Sequence, residues 1–236
     1  MKLLITLTIL FFCCLSCKTT SDKPEITIIT DPYLAFVTDT TNNRRAKWDL
    51  LDLKYRLKLE QQIGLKDLTL GADNLEIRLW YDFSQAGSQA LYTLRFQDTL
   101  CNLTYYRIFP KPYNYDYANR NRKWNSYTDP IIDSSFSRSI MLNFKDYQNL
   151  HLDSIWLLKT QSELHISESF QVLDCDSYII EIADKNRYKY LRHHCAQVYY
   201  EETQLPEILA YMDFCDRIIA LVKKQNFRIP YNHYYE

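Results

Sequence analysis

The 236-residue chain carries 28 basic and 29 acidic side chains, a net charge of −1, so nothing in its overall balance draws it to nucleic acid or an anionic surface. Hydrophobic residues at 47% and charged residues at 24% are ordinary for a folded domain, which excludes disorder as the default state. Glycine occurs only 3 times, with Gly64 and Gly71 flanking one turn; the clustered glycines of a phosphate-cradling loop are missing, which excludes the common nucleotide chemistries. Tyrosine occurs 20 times, favouring strands and amphipathic binding surfaces.

In chain order, Lys2 supplies a positive start and Leu3 to Leu15 an almost unbroken apolar run. The run is too short to span a bilayer comfortably and reads as a secretory signal. Its ending, Leu15-Ser16-Cys17, resembles the lipobox of bacterial lipoproteins, with Cys14 standing where that family usually has Leu. The resemblance implies cleavage after residue 16, acylation of Cys17 by chains such as palmitate, and the lipid bilayer as a partner. The alternative is an ordinary signal peptide with incidental cysteines. Residues 1–16 are then the signal, 17–24 a flexible polar tether, and 25–236 one globular domain.

Glu25 to Val37 is β-branched but interrupted by Pro32, an edge strand or an extended arm. Arg44 to Ile63 reads as a helix stopped by Gly64, with Trp48, Leu51, Tyr55, Leu59 and Ile63 on its apolar face. Alternation within Leu53–Leu59 also permits a strand there. Three strands with a period of two follow, Leu75–Tyr81, Tyr92–Phe96 and Cys101–Tyr105, joined by short turns as an antiparallel meander. Tyr106 to Phe136, with three prolines and no period, predicts a long loop. Ser137–Phe144 predicts a strand and Lys145–Leu158 a helix with Tyr147, Leu150, Ile155 and Leu158 turned inward. Tyr178–Ile182 and Arg187–Arg192 predict a hairpin around Asp184-Lys185-Asn186. Leu205–Gln225 is the strongest helix, with Pro206 and Glu207 at its start and Lys223 and Lys224 at its end.

Few constellations carry chemistry. Between Tyr105 and Tyr127 lie six tyrosines, Trp124 and five basic residues against the single Asp116. Flat aromatic faces beside hydrogen-bonding groups suit sugar rings or a protein partner, which makes Tyr113, Tyr115, Tyr117 and Trp124 the candidate contacts. The competing reading is that these tyrosines pin the loop to the sheet. His193, His194 and Cys195 resemble metal ligands by type, but neighbouring strand residues point to opposite faces, so no metal and no cofactor is expected. The acid pairs Asp174/Asp176 and Glu201/Glu202 read as solvated residues, the first at a turn and the second ahead of a helix. Cys101, Cys175, Cys195 and Cys215 form either two disulfides or four buried thiols. No nucleophile motif stands out, so no catalytic residue is assigned.

The segments LEIRLWY (Leu75–Tyr81), WLLKTQSEL (Trp156–Leu164) and YIIEIADKNRYKYL (Tyr178–Leu191), with the closing helix, resemble an uncharacterised family of Gram-negative envelope lipoproteins. The resemblance implies an envelope location and brings no activity and no site residue beyond Cys17. Lys18 lacks the acidic character linked to inner-membrane retention, which points to the outer membrane. The expected fold is α+β: an antiparallel sheet of about five or six strands with two or three helices packed on one face. The expected function is a non-enzymatic, membrane-anchored binding domain for a glycan or envelope protein, with no role for nucleic acid. The rival expectation is an envelope hydrolase acting on glycan or peptide.

Overall fold

Alternating apolar residues build six strands: β1 (Glu76–Asp82), β2 (Gln89–Gln97), β3 (Leu100–Pro110), β4 (Ile132–Asn143), β5 (Ser177–Ala183) and β6 (Tyr188–His194). They are seen in a computed structural model that describes residues 44–82, 88–111, 130–164, 166 and 177–225. All pairings are antiparallel, in the open order β4-β3-β2-β1-β5-β6. The α+β class, the meander and the hairpin stand as the sequence predicts. What the strand pattern does not contain is the pairing of β5 back onto β1, with Ile180 opposite Leu79, which makes one sheet of the two motifs.

The sheet is covered on both faces, not one. Helix α1 (Arg44–Gln62) lies over Trp80, Leu91, Ile179 and Tyr190 through Leu53, Leu57 and Leu59. On the opposite face Ile77, Leu79, Leu94 and Ile180 pack against Tyr211, Phe214 and Ile218 of the last helix (Pro206–Lys224). Two shorter helices complete the set: α2 (Phe144–Tyr147) and α3 (Ala196–Thr203), which makes the last helix α4. Each buried leucine of α1 contributes about 1.5–3 kcal/mol. Period-two alternation hides the second buried face because its inward residues on β1 include Arg78, which is fully buried beside Trp80.

Helix α1 stops as expected, by a glycine-dependent motif. Gly64 has φ 78°, its N–H donates to the Gln61 carbonyl (3.1 Å), and Leu65 N–H donates to the Glu60 carbonyl (2.9 Å). That paired geometry is the Schellman motif, and buried Leu65 closes it. The buried stripe of α1, however, is turned from the predicted one. Leu59 is buried as expected, but Trp48 is 44% exposed and Tyr55 half-buried, whereas Asp49, Leu53, Arg56, Leu57 and Glu60 are buried.

Two segments depart from expectation. The two ends of the predicted loop from Tyr106 to Phe136 are strand, because β3 and β4 stay paired through Tyr106↔Ser137 and Ile108↔Ser135 to a bulge at Phe109/Pro110; residues 112–129 lie outside the described residues. The predicted helix over Lys145–Leu158 is one α-turn followed by 3-10 turns, broken at His151, whose φ of 50° is left-handed. Its inward residues are nevertheless right: Tyr147, Leu150, Ile155 and Leu158 are all buried. Helix α3 has no counterpart in the sequence reading; Glu201 and Glu202 lie in it, exposed and ahead of the last helix as expected.

Candidate functional site

The proposed contact residues Tyr113, Tyr115, Tyr117 and Trp124, and the lipidation residue Cys17, lie outside the described residues. So do the tether, the Glu25–Val37 stretch, His165, Asp174, Cys175 and Asp176. What is described is the base from which the aromatic segment leaves. Lys111 N–H donates to the Ile131 carbonyl (2.7 Å), closing the β3–β4 ladder. The Gln62 carboxamide donates to the Pro130 carbonyl (2.6 Å) and accepts from Ile132 N–H (2.9 Å), so the last turn of α1 pins the strand that receives the chain. By strand direction this end of the sheet also holds the end of β1, the start of β5 and the end of β6.

At that end the cysteine and histidine run separates into three roles. His193 is buried, its Nε2 meets the Lys159 carbonyl at 2.8 Å, and its ring lies 4.1 Å from that of Tyr211. Burial pulls its pKa down to about 4. His194 Nδ1 lies 2.8 Å from Ser177 Oγ, directly across the β5–β6 ladder. Cys195 is disulfide-bonded, while Cys101 and Cys215 are buried free thiols, so the cysteines follow neither uniform expectation. Among the described residues, no three of His, Cys, Asp or Glu gather to hold a metal ion.

The densest chemistry lies beneath α1. Asp49, Asp52, Arg56 and Glu60 recur at three- and four-residue steps and face the sheet, where apolar residues are the rule. Toward β6, Asp49 Oδ1 lies 3.5 Å from Arg192, and Asp52 accepts from the Tyr190 hydroxyl (2.6 Å) and from Arg56 (3.3 Å). In the middle, Arg56 donates to Gln89 (3.0 Å) and its guanidinium lies 4.8 Å from the Trp80 ring centroid. Farther along, Glu60 accepts from Trp80 Nε1 (3.0 Å) and pairs with Arg78, which also donates to Glu76 (2.8 Å) and the Lys66 carbonyl (2.7 Å).

Glu60 and Glu181 are both fully buried and near enough for their charges to interact. Burial, then the Glu181 charge, push the Glu60 carboxyl well above its usual range despite Arg78. Glu181 Oε2 accepts from the Tyr188 hydroxyl (2.8 Å), while its buried Oε1 has no hydrogen-bond partner. Such a pair could serve acid–base chemistry if substrate reached it, but full burial denies access and fits a helix-docking role. The sequence signal for it was the run Asp52, Arg56, Glu60 at four-residue spacing, which apolar periodicity alone assigns to solvent.

No described helix is long and apolar enough to cross a membrane. No protein-family model matches the chain, and neither does any curated protein sequence. Function must therefore be argued from the residues themselves.

Proposed function

We propose that the chain is a lipid-anchored binding domain of the bacterial cell envelope, non-enzymatic, held at the outer membrane by Cys17. Its ligand is a glycan or an envelope protein, contacted through Tyr113, Tyr115, Tyr117 and Trp124. The observation that carries this reading is the apolar run Leu3–Leu15 closing on Ser16-Cys17. The disulfide at Cys195 supports it, since such bonds persist in oxidising compartments outside the cytosol. The test is the intact mass of protein purified from membranes, beside a Cys17→Ala form. An acyl increment lost in the variant, together with membrane association, supports the anchor; an unmodified, soluble wild type overturns it. Retention of envelope glycans or proteins by the wild type and its loss on replacing the four aromatic residues supports the contact assignment.

The hydrolase reading has one observation in its favour, the Ser177–His194 hydrogen bond at the sheet end. A serine beside an imidazole is the nucleophile–base pair of acyl transfer, although Ser177 is only 8% exposed. Covalent labelling by a fluorophosphonate, absent in Ser177→Ala, would favour a hydrolase; no labelling of the folded wild type would remove that case.

A further inference from the structure

Strand β4 ends the sheet, and its outer side meets no other strand among the described residues. It is 12 residues long, holds no lysine or proline, and the bulge in its pairing lies at the Phe109/Pro110 end, so most of it lacks the devices that blunt an edge. The opposite edge, on β6, is capped by Thr160 and Gln161. Residues Ser135 through Ser139 are all exposed. Their backbone groups alternate in direction, and the sense of the alternation is fixed. Strands β2 and β4 run the same way, and Phe96 of β2 shares a face with Leu142 of β4 through Cys101. Phe96 N–H donates to the Leu75 carbonyl just ahead of β1 (2.9 Å). The same-face residues Phe136, Arg138, Ile140 and Leu142 therefore bond inward to β3, and Ser135, Ser137, Ser139 and Met141 turn N–H and C=O outward.

We propose that this edge pairs with β4 of a second copy of the chain, antiparallel about a two-fold axis, to make one continuous sheet. A two-fold axis perpendicular to the sheet keeps its faces aligned, so even-numbered residues meet even and odd meet odd. With that parity, two registers overlap Ile132–Asn143 most fully with itself, one centred on Ser137 and one on Arg138. Centring on Arg138 sets its charge against its own copy, which is destabilising. Centring on Ser137 instead sets Arg138 against Phe136 of the second copy, twice. These are the pairs whose side chains approach most closely, because their own backbone bonds go to β3. Phe136 already meets Phe109 edge-on (6.1 Å), and the Arg107 guanidinium lies 5.7 Å from the Phe109 centroid, so a further arginine extends an existing stack. On the other face Ser137 meets itself and Ser135 meets Ser139, small side chains that let the backbones close. This contact is independent of the anchor and of the aromatic contacts proposed above.

The test is sedimentation of the full chain over a wide concentration range, in detergent matched in density to the solvent, with oxidative cross-linking to read the register. The expected result is a reversible monomer–dimer equilibrium with a dissociation constant of about 1–100 µM, in keeping with an interface one strand wide. Ser137→Cys is expected to give a disulfide-linked dimer, because facing residues in such a pair stand about 5.5 Å apart. Ser135→Cys alone is expected not to, but to cross-link when mixed with Ser139→Cys. Ser137→Pro removes only an outward N–H and is expected to weaken dimerisation at least about tenfold. Phe136→Lys sets like charges opposite Arg138 and is expected to do the same, while adding Arg138→Glu restores the dimer. A monomer at every concentration, which would leave the edge to a strand of another protein, overturns the proposal. So does self-cross-linking of Ser135→Cys as ready as that of Ser137→Cys, or a dimer indifferent to both Ser137→Pro and Phe136→Lys. Unchanged urea midpoints report that the variants fold.

Discussion

At the scale of single residues, His193 and Asp49 titrate in opposite senses across nearly the same pH range. Burial holds His193 at about 4 against 6.5 for a free imidazole. Its folded pKa is depressed, so its neutral form stabilises the protein above pH 6.5, and that stability is lost as pH falls toward 4. Burial, only partly offset by Arg192, pushes Asp49 up to about 6 from 3.8. Its folded pKa is raised, so its contribution is complete below 3.8 and is lost as pH rises through 6. Each effect is worth about 3 kcal/mol, and between pH 4 and 6 they oppose one another. Urea denaturation across this window should therefore separate them. Asp49→Asn is expected to steepen the loss on acidification by about 3 kcal/mol, and His193→Gln to remove a loss of similar size. Parallel pH profiles for all three proteins would refute both assignments.

At the scale of elements, α1 is a charged strap laid across the sheet. Its 19 residues span about 28 Å, enough to cross six strands spaced about 4.8 Å apart. Its contacts run accordingly from Arg192 and Tyr190 on β6, through Trp80 and Gln89, to Ile132 on β4. Charges buried this way add orientation more than stability, because each is balanced only while its partners stay in place. Removing one partner should therefore cost more than neutralising it. Glu60→Leu leaves Arg78 and Trp80 Nε1 without their acceptor and is expected to destabilise by about 3–5 kcal/mol. Glu60→Gln keeps one of the two acceptor oxygens, leaving either Arg78 or Trp80 Nε1 against an amide N–H, and is expected to destabilise less than Glu60→Leu. It should also abolish a pH slope. The raised Glu60 carboxyl stabilises below its free value of 4.5 and loses that contribution as pH rises toward its folded pKa. A wild-type slope identical to that of Glu60→Gln would contradict the raised Glu60 carboxyl.

At the scale of the whole molecule, the two sheet edges are treated differently. The outer edge of β6 is closed by side chains: Thr160 Oγ1 accepts from Arg192 N–H (2.9 Å) and donates to its carbonyl (3.1 Å), and Gln161 accepts from His194 N–H (3.0 Å). Strand β4 forms the other edge, with Phe136 at 41% and Met141 at 61% exposure. Between the edges the core on the α4 face encloses Cys101 and Cys215. Burial pushes the Cys101 thiol up to about 12 and raises that of Cys215 well above its ordinary value. Neither thiol supplies thiolate at pH 8, so both should escape maleimide in the folded protein and react only after denaturation. Peptide mapping by mass spectrometry reads this directly, and rapid labelling of either cysteine in the native state would contradict the enclosed core.

The local rules of strand, turn and cap were legible in the sequence alone. Alternation at Leu75–Tyr81 located β1, Asp184 in the hairpin accepts the turn N–H groups of Asn186 and Arg187 (both 2.8 Å), and Gly64 stopped α1, because each depends on neighbours a few residues away. The cores and the candidate sites were not legible in the same way. Nothing in the sequence marks Arg78 and Glu60 as buried, because hydropathy treats a charge as though water surrounded it; each became burial-tolerant only when a partner 18 residues away was brought against it. The tertiary structure likewise decided that β5 pairs with β1 and that Ser177 meets His194. Those juxtapositions join residues distant in the chain, and sequence spacing carries no measure of such distances.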